Sequence, residues 1–328
     1  MTIFWEPSYN CNLNCLFCYN DKSADNNFSV NKDLVMDKFL EMKVSEVILA
    51  GGEPLVLADL SHIIRRLSMS AINCHIITNG TLVSDDFITK YQMFGYNKIT
   101  VSIDGCQEQH DLIRGKGNYR KALEGIEKLV KAGLQVYITV TINKINLDSM
   151  IELYHNLSCL GVYQIYYGRC LPTISKALQT NLLRKEDLIR LWENYNIMKR
   201  NNYSFEIDKQ AFYFFLSGNS NIDACDCVNE KADFLSVKPN GAITLCPHLN
   251  LDIAHILDDT KEQILKKIIK FKRREMAYIP KSCSVCKFAE KCAGGCRAVS
   301  YTLYGDFLHS DYLCPLNEKL KLLQDSGE

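Results

Sequence analysis

Tyr9–Asn20 reads YNCNLNCLFCYN and sets Cys11, Cys15 and Cys18 in the spacing C-x3-C-x2-C. Three thiolates on one short loop can hold three irons of a [4Fe–4S] cube and leave the fourth iron open to another ligand. A zinc ion would want a fourth protein ligand, and neither Cys nor His lies close by in sequence to supply it. Disulfide pairing would leave one cysteine over.

Outward from this loop, β-rich runs recur at Thr2–Trp5, Glu46–Ala50, His75–Thr78, Lys98–Ile103, Gln135–Val140 and Tyr163–Tyr167. Helical periodicity follows the last five, at Asp59–Met69, Asp85–Phe94, Tyr119–Ala132, Leu147–Leu160 and Arg184–Lys199, and a first helix, Lys32–Met42, follows the cysteine loop. Six βα units in series predict a parallel sheet, open or closed into a partial (βα)6 barrel, with active-site groups at the carboxyl ends of its strands. After residue 200 the alternation stops, and breakers flank a short aromatic stretch, Phe212–Phe215. We therefore expect an α/β barrel over residues 1–200, a bridging segment over 201–224, and a loop-rich cysteine domain over 225–328. A segment with few long apolar elements needs staples, here metal.

Composition narrows the function classes. Lys plus Arg equals Asp plus Glu, 38 against 38, so the total charge gives no footprint for nucleic-acid binding. No signal peptide opens the chain, and no apolar run reaches the ~20 residues of a membrane helix. The expected location is cytoplasmic, where clustered cysteines hold metal more often than disulfides, and there are 15 of them. The basic run Lys266–Arg274, interleaved with Ile264, Leu265, Ile268 and Ile269, reads as the solvated face of an amphipathic helix.

The cysteine loop with its aromatic Phe17 resembles that of the radical S-adenosylmethionine (SAM) superfamily, whose fold is a partial (βα)6 barrel. The resemblance covers Thr2 to about Arg200. Gly51-Gly52-Glu53-Pro54 matches the GGEP motif that implies a hold on the methionine amino group of SAM. Asn79 ends the third strand in Thr78-Asn79-Gly80. Ser102 and Asp104 end the fourth, and the resemblance sets them near the SAM ribose and carboxylate, with Arg114 pairing the carboxylate. The implied chemistry is reductive cleavage of SAM to a 5′-deoxyadenosyl radical that abstracts hydrogen from a substrate, driven by an external one-electron reductant such as flavodoxin or ferredoxin.

Toward the end of the chain, Cys227, Gly241, Cys246, Cys283, Cys286, Cys292, Cys296 and Cys314 match in register the seven-cysteine SPASM pattern of peptide- and protein-modifying radical SAM enzymes. That resemblance implies two auxiliary [4Fe–4S] clusters. One would take Cys225, Cys227, Cys246 and Cys296, and the other Cys283, Cys286, Cys292 and Cys314. Cys225 lies outside the pattern, and eight thiolates could also close two zinc sites.

The resemblance implies an acidic residue after the cysteine that Cys246 matches in sulfatase-maturing members; Pro247-His248 follows here instead, which argues against formylglycine formation and leaves His248 as a candidate general base. Cys106 and Cys170 follow strand ends and are candidate hydrogen-atom donors of an epimerase, whereas Cys74 and Cys159 read as small core residues. With ten residues before Cys11, a separate leader-binding protein is the expected partner if the substrate is a ribosomally made peptide. A small-molecule dehydrogenase or epimerase and a non-catalytic electron carrier are the alternatives. Three cubes require about 12 irons per reconstituted chain, falling to about eight when Cys11, Cys15 and Cys18 are replaced together by alanine. Iron and zinc analysis checks this, and a wild type with about four irons and zinc in the remainder would contradict it.

Overall fold

The computed structural model describes residues 1–20, 29–172, 181–207, 225, 227–229 and 231–316; Phe212–Phe215 lies outside them. Seven strands run parallel in chain order: β1 (Thr2–Trp5), β2 (Glu46–Leu49), β3 (Asn73–Thr78), β4 (Lys98–Ser102), β5 (Gln135–Ile142), β6 (Gln164–Arg169) and β7 (Phe205–Ile207). Between them lie α1 (Lys32–Glu41), α2 (Leu60–Met69), α3 (Asp85–Met93), α4 (Gln107–Arg114), α5 (Asn118–Lys131), α6 (Met150–Ser158) and α7 (Asp187–Arg200). The sheet is mixed α/β in class and open, with β7 at one edge.

Strand alternation decides which face is which. In β1, Ile3 and Trp5 are fully buried and point to the helices, where Trp5 meets Phe39 of α1 edge-on at 5.2 Å. The register carries this apolar row across the sheet, pairing Trp5 with Leu49, Leu49 with Ile76, Ile76 with Ile99, and Val101 with Ile138. Helix α2 answers with Leu60, Ile63, Ile64 and Leu67, an i, i+3, i+4, i+7 stripe that is buried throughout. The other face, with Phe4, Ile77, Ser102, Thr139, Thr141 and Gly168, is left to line a cavity.

The C-terminal part adds to this same sheet. Strand β8 (Phe234–Val237) pairs parallel to β1, Trp5 against Val237, and β9 (Ala242–Thr244) and β10 (Ala254–His255) continue antiparallel. Sequence alternation did not foresee β7 to β10, which are two to four residues long, nor α4, whose QEQHDLIR has little apolar periodicity. The basic run is α8 (Lys261–Phe271) followed by a π turn, Lys272–Met276. One member departs from the expected solvated face: Lys272 is buried, its Nζ bonded to the Lys231 carbonyl and 3.4 Å from Asn229 Oδ1. Two short helices follow, α9 (Ala289–Cys292) and α10 (Arg297–Tyr304). Cys74 is buried as expected, but Cys159 is exposed at the end of α6.

Beyond Trp5 the chain enters the sheet's upper end at Glu6, whose backbone N–H donates to the Val237 carbonyl at 2.9 Å. Its carboxyl is buried and accepts the Tyr19 hydroxyl at 3.0 Å. Burial lifts it to about 7, with Tyr19 and Lys238 pulling the other way. A carboxyl raised on folding contributes stability that is complete below its unfolded value and is lost as pH rises through the folded one. Urea unfolding of the apoprotein should therefore weaken between pH 4.5 and 7 by at most on the order of 3 kcal/mol from this residue. Glu6→Gln should flatten that slope and stabilise the protein at pH 8.

Candidate active site

One cavity of about 300 Å³ opens at the carboxyl ends of the strands, and its wall gathers residues from far apart in the chain. Cys11, Cys15, Phe17 and Cys18 come from the loop after β1; Gly51, Gly52 and Glu53 from the end of β2; Thr78 and Asn79 from β3. Ser102, Arg114, Arg169 and His248 complete the side expected from sequence and add one residue it did not name, Arg169.

The loop is held against β2 by its backbone. Gly52 N–H donates to the Ser8 carbonyl at 2.9 Å and Glu53 N–H to the Asn10 carbonyl at 2.8 Å. A Cβ on Gly52 would lie 2.0 Å from the Asn10 carbonyl oxygen, and Gly51, at φ +109°, would place one 2.5 Å from that of Ser8. Only glycine allows this approach. Farther along, Asn79 Nδ2 donates to Asn12 Oδ1 at 2.9 Å, and Leu16 N–H to the Ile113 carbonyl at 2.9 Å.

Glu53 is buried and anchored at three points: Oε1 accepts from Thr78 Oγ1 (2.6 Å) and Leu55 N–H (3.0 Å), and Oε2 from Asn79 N–H (2.7 Å). Pro54 opens the single turn that Glu53 caps, a position where its missing N–H costs nothing. Burial still pushes the Glu53 carboxyl upward.

The expectation for Asp104 is corrected. It is fully buried, absent from the cavity wall, and bonded to Arg114 Nε and Thr141 N–H (2.7 Å). Its charge holds Arg114 in place instead of meeting a ligand. Arg114 does reach the wall, with its guanidinium carbon 5.3 Å from the centre of the Phe17 ring.

The two candidate thiol donors do not reach the cavity wall. Cys106 precedes α4 and faces Asn156 Nδ2 at 3.6 Å, with burial and Glu152 raising it to about 11. Cys170 is buried beside Phe17 and Ile113, and burial raises it to about 12. His248, by contrast, is on the wall, edge-on to Tyr19 at 5.1 Å.

The C-terminal cysteines fall into two neighbourhoods. Cys227 is raised by its hydrogen bond to Cys225, which favours the protonated thiol, by burial, and also by Cys246 and Cys296. Cys283 and Cys292 are raised by burial and then by Cys314, with Cys286 adding to the first and Cys283 to the second. Such crowded thiols ionise only with a compensating cation. A cube would spread such thiolates over separate irons. The donor set of the N-terminal loop, three thiols on one cavity wall, fits a cube in the same way.

A buried ion pair ties this region to the barrel. Arg169, at the end of β6, holds Asp311 through both nitrogens, Nη1 at 3.0 Å. Asp311 Oδ2 also accepts from Cys296 N–H at 3.2 Å, and its carbonyl from Cys314 N–H at 3.0 Å.

Residues 5–157 match the radical SAM superfamily. The chain is 27% identical over 345 residues to an AdoMet-dependent heme synthase of Methanosarcina barkeri, covering 95% of each. It is 25% identical over 258 residues to the sporulation killing factor maturation protein SkfB of Bacillus subtilis, covering 77% of this chain and 62% of that protein. The structure of Streptococcus suis SuiB bound to S-adenosylmethionine shares the fold, with a TM-score of 0.74 at 16% identity over 95% of this chain and 76% of that one.

Gly52→Ala should push the cysteine loop off β2. We expect about four irons fewer per chain and loss of SAM binding, with the far-ultraviolet circular dichroism of the barrel retained. Wild-type iron content in this variant would contradict the packing argument.

Proposed function

We propose that this chain, whose residues 5–157 match the radical SAM superfamily, binds SAM and a [4Fe–4S] cube in the strand-end cavity and modifies a peptide. The observation that carries the reading is the single cavity on which Cys11, Cys15, Cys18, Gly51, Gly52, Glu53, Asn79, Ser102 and Arg114 meet. Cys11, Cys15 and Cys18 would hold the cube. When bound, the cube and SAM supply a 5′-deoxyadenosyl radical that takes a hydrogen atom from the substrate.

The chain's own residues prepare the place for this. Arg114, fixed by Asp104, presents a positive charge that needs no rearrangement to meet a carboxylate. Glu53 offers negative charge on the same wall and cannot swing away, because three donors hold it. Phe17, Leu13 and Leu171 line the cavity with carbon and limit the water that could quench a radical. His248 lines the same cavity and is the side chain there that could take a proton from a substrate.

In this reading two further cubes lie on Cys225, Cys227, Cys246 and Cys296, and on Cys283, Cys286, Cys292 and Cys314. The Arg169–Asp311 pair spans from the cavity to both sets. An external one-electron reductant such as flavodoxin or ferredoxin is the partner it requires. A peptide substrate is supported by the likeness to SkfB, a maturation protein. A small-molecule substrate is the second reading, because an AdoMet-dependent heme synthase matches over nearly the whole length of both chains.

Anaerobic reconstitution followed by incubation with SAM and dithionite should release 5′-deoxyadenosine, detected by liquid chromatography. Replacing Cys11, Cys15 and Cys18 by alanine should abolish it. Mass spectrometry of candidate peptides then decides the substrate: a product two hydrogens lighter, or one of unchanged composition that has taken up solvent deuterium, supports peptide modification. Turnover confined to small metabolites would favour the second reading, and no 5′-deoxyadenosine at all would reject both.

A further inference from the structure

A buried cation stands between the two C-terminal cysteine neighbourhoods. Arg297 follows Cys296 directly and is 1% exposed. Its Nη1 donates to the Phe307 carbonyl at 2.9 Å and its Nη2 to the Tyr278 carbonyl. Gly294, at φ +85°, makes room for it, since a Cβ there would lie 2.6 Å from Pro280 Cγ and 3.4 Å from Nη1. The guanidinium is thus lodged in one orientation between the segments that lead into Cys283, Cys296 and Cys314.

The surroundings oppose its charge. Burial strips the guanidinium of water. Arg297 is also the first residue of α10, where the helix dipole repels a cation, and no acidic residue stands in that turn. Its two carbonyl partners are neutral, and Nε, also buried, has no acceptor among the described residues. Asp311, which accepts Cys296 N–H, is already held by Arg169. The groups that favour the charge, against burial, are thiols: Cys227 and Cys296 of one neighbourhood, Cys283 and Cys292 of the other. Neutral thiols cannot balance a cation. A cube on four thiolates can, because it carries net negative charge when oxidised and more when reduced.

We propose that Arg297 is the shared counter-charge of the two auxiliary cubes and raises both of their reduction potentials. This rests on the reading above in which the two cysteine sets hold cubes. A fixed cation favours the state that carries the added electron, so each cube becomes easier to reduce. Arg297 is absent from the cavity wall and acts through the cubes.

Potentiometric titration of the reconstituted holoprotein, followed by electron paramagnetic resonance, tests this with Arg297→Gln and Arg297→Lys. Glutamine removes the charge, whereas lysine keeps it and gives up the clamp on two carbonyls. In Arg297→Gln both auxiliary potentials should fall, cutting the reduced-to-oxidised ratio at a fixed potential about tenfold, ~59 mV for a one-electron couple. The loop cube should not move, and Arg297→Lys should stay within about threefold of the wild-type ratio. Loss of auxiliary iron in the glutamine variant alone would also support the charge role. Iron loss in both variants, or equal shifts in both, would overturn the proposal by reducing Arg297 to a structural clamp. Unchanged potentials in Arg297→Gln would overturn it as well, and a shift of one auxiliary cube alone would overturn the sharing. A wild type that holds only about four irons per chain would remove the auxiliary-cube reading itself.

Discussion

The closeness of two backbones governs this molecule. Residues 8–10 lie so near Gly51 and Gly52 that a single added carbon would overlap a carbonyl oxygen. Everything in the cavity is referred to that contact. It sets the height of the cysteine loop above the sheet and brings Glu53 N–H onto Asn10. It also turns the Glu53 side chain toward Thr78 and Asn79, so the ends of β1, β2 and β3 behave as one rigid piece. The contact is made of main chain, so most side-chain substitutions around it would leave it intact, while any side chain at Gly52 would not.

A second tie fixes the opposite side of the cavity. Arg169 and Asp311 are both buried, and an ion pair so placed contributes little net stability because both charges have lost their water. Removing either partner would be costly, since the other would remain as an unpaired buried charge. The pair therefore acts as a registration device. It specifies where the cysteine-rich segment sits against β6. Gly295 serves the same fit, for a Cβ there would lie 2.4 Å from that of Asp311.

Much of this was legible in the sequence, and the rest fails for identifiable reasons. The first six strands announced themselves because each is bounded by turn residues and followed by a helix with a clear apolar stripe. The residues that reach the cavity wall from the first three strand ends were legible because motif and strand end coincide. Asp104 was misassigned because sequence cannot tell a carboxylate facing a ligand from one consumed by a neighbouring arginine; Cys106 and Cys170 failed for the related reason that a position after a strand end does not fix the direction of its side chain. Arg169 and Tyr19 had no local signal, since their partners are 142 and 13 residues away. The β8–β9 hairpin did have one: Pro239-Asn240-Gly241 between two apolar runs, with Gly241 at φ +85°, is a turn signature. Its strands are three and four residues long, too short for alternation to speak.

The pairing of β1 with β8 has a consequence for how the protein is made. Strand β1 acquires β2 as a neighbour soon after it is made, but its other neighbour ends at Val237. At roughly 5–20 residues per second, synthesis takes on the order of 10–50 s to deliver that strand. Throughout that interval the N-terminal edge of the nascent sheet presents open backbone groups next to the cysteine loop, a template for pairing with other chains. A cell producing this protein therefore carries an aggregation hazard at this edge until β8 has been made. Slowing translation there would lengthen the exposure, and a chaperone that covers a strand edge would relieve it.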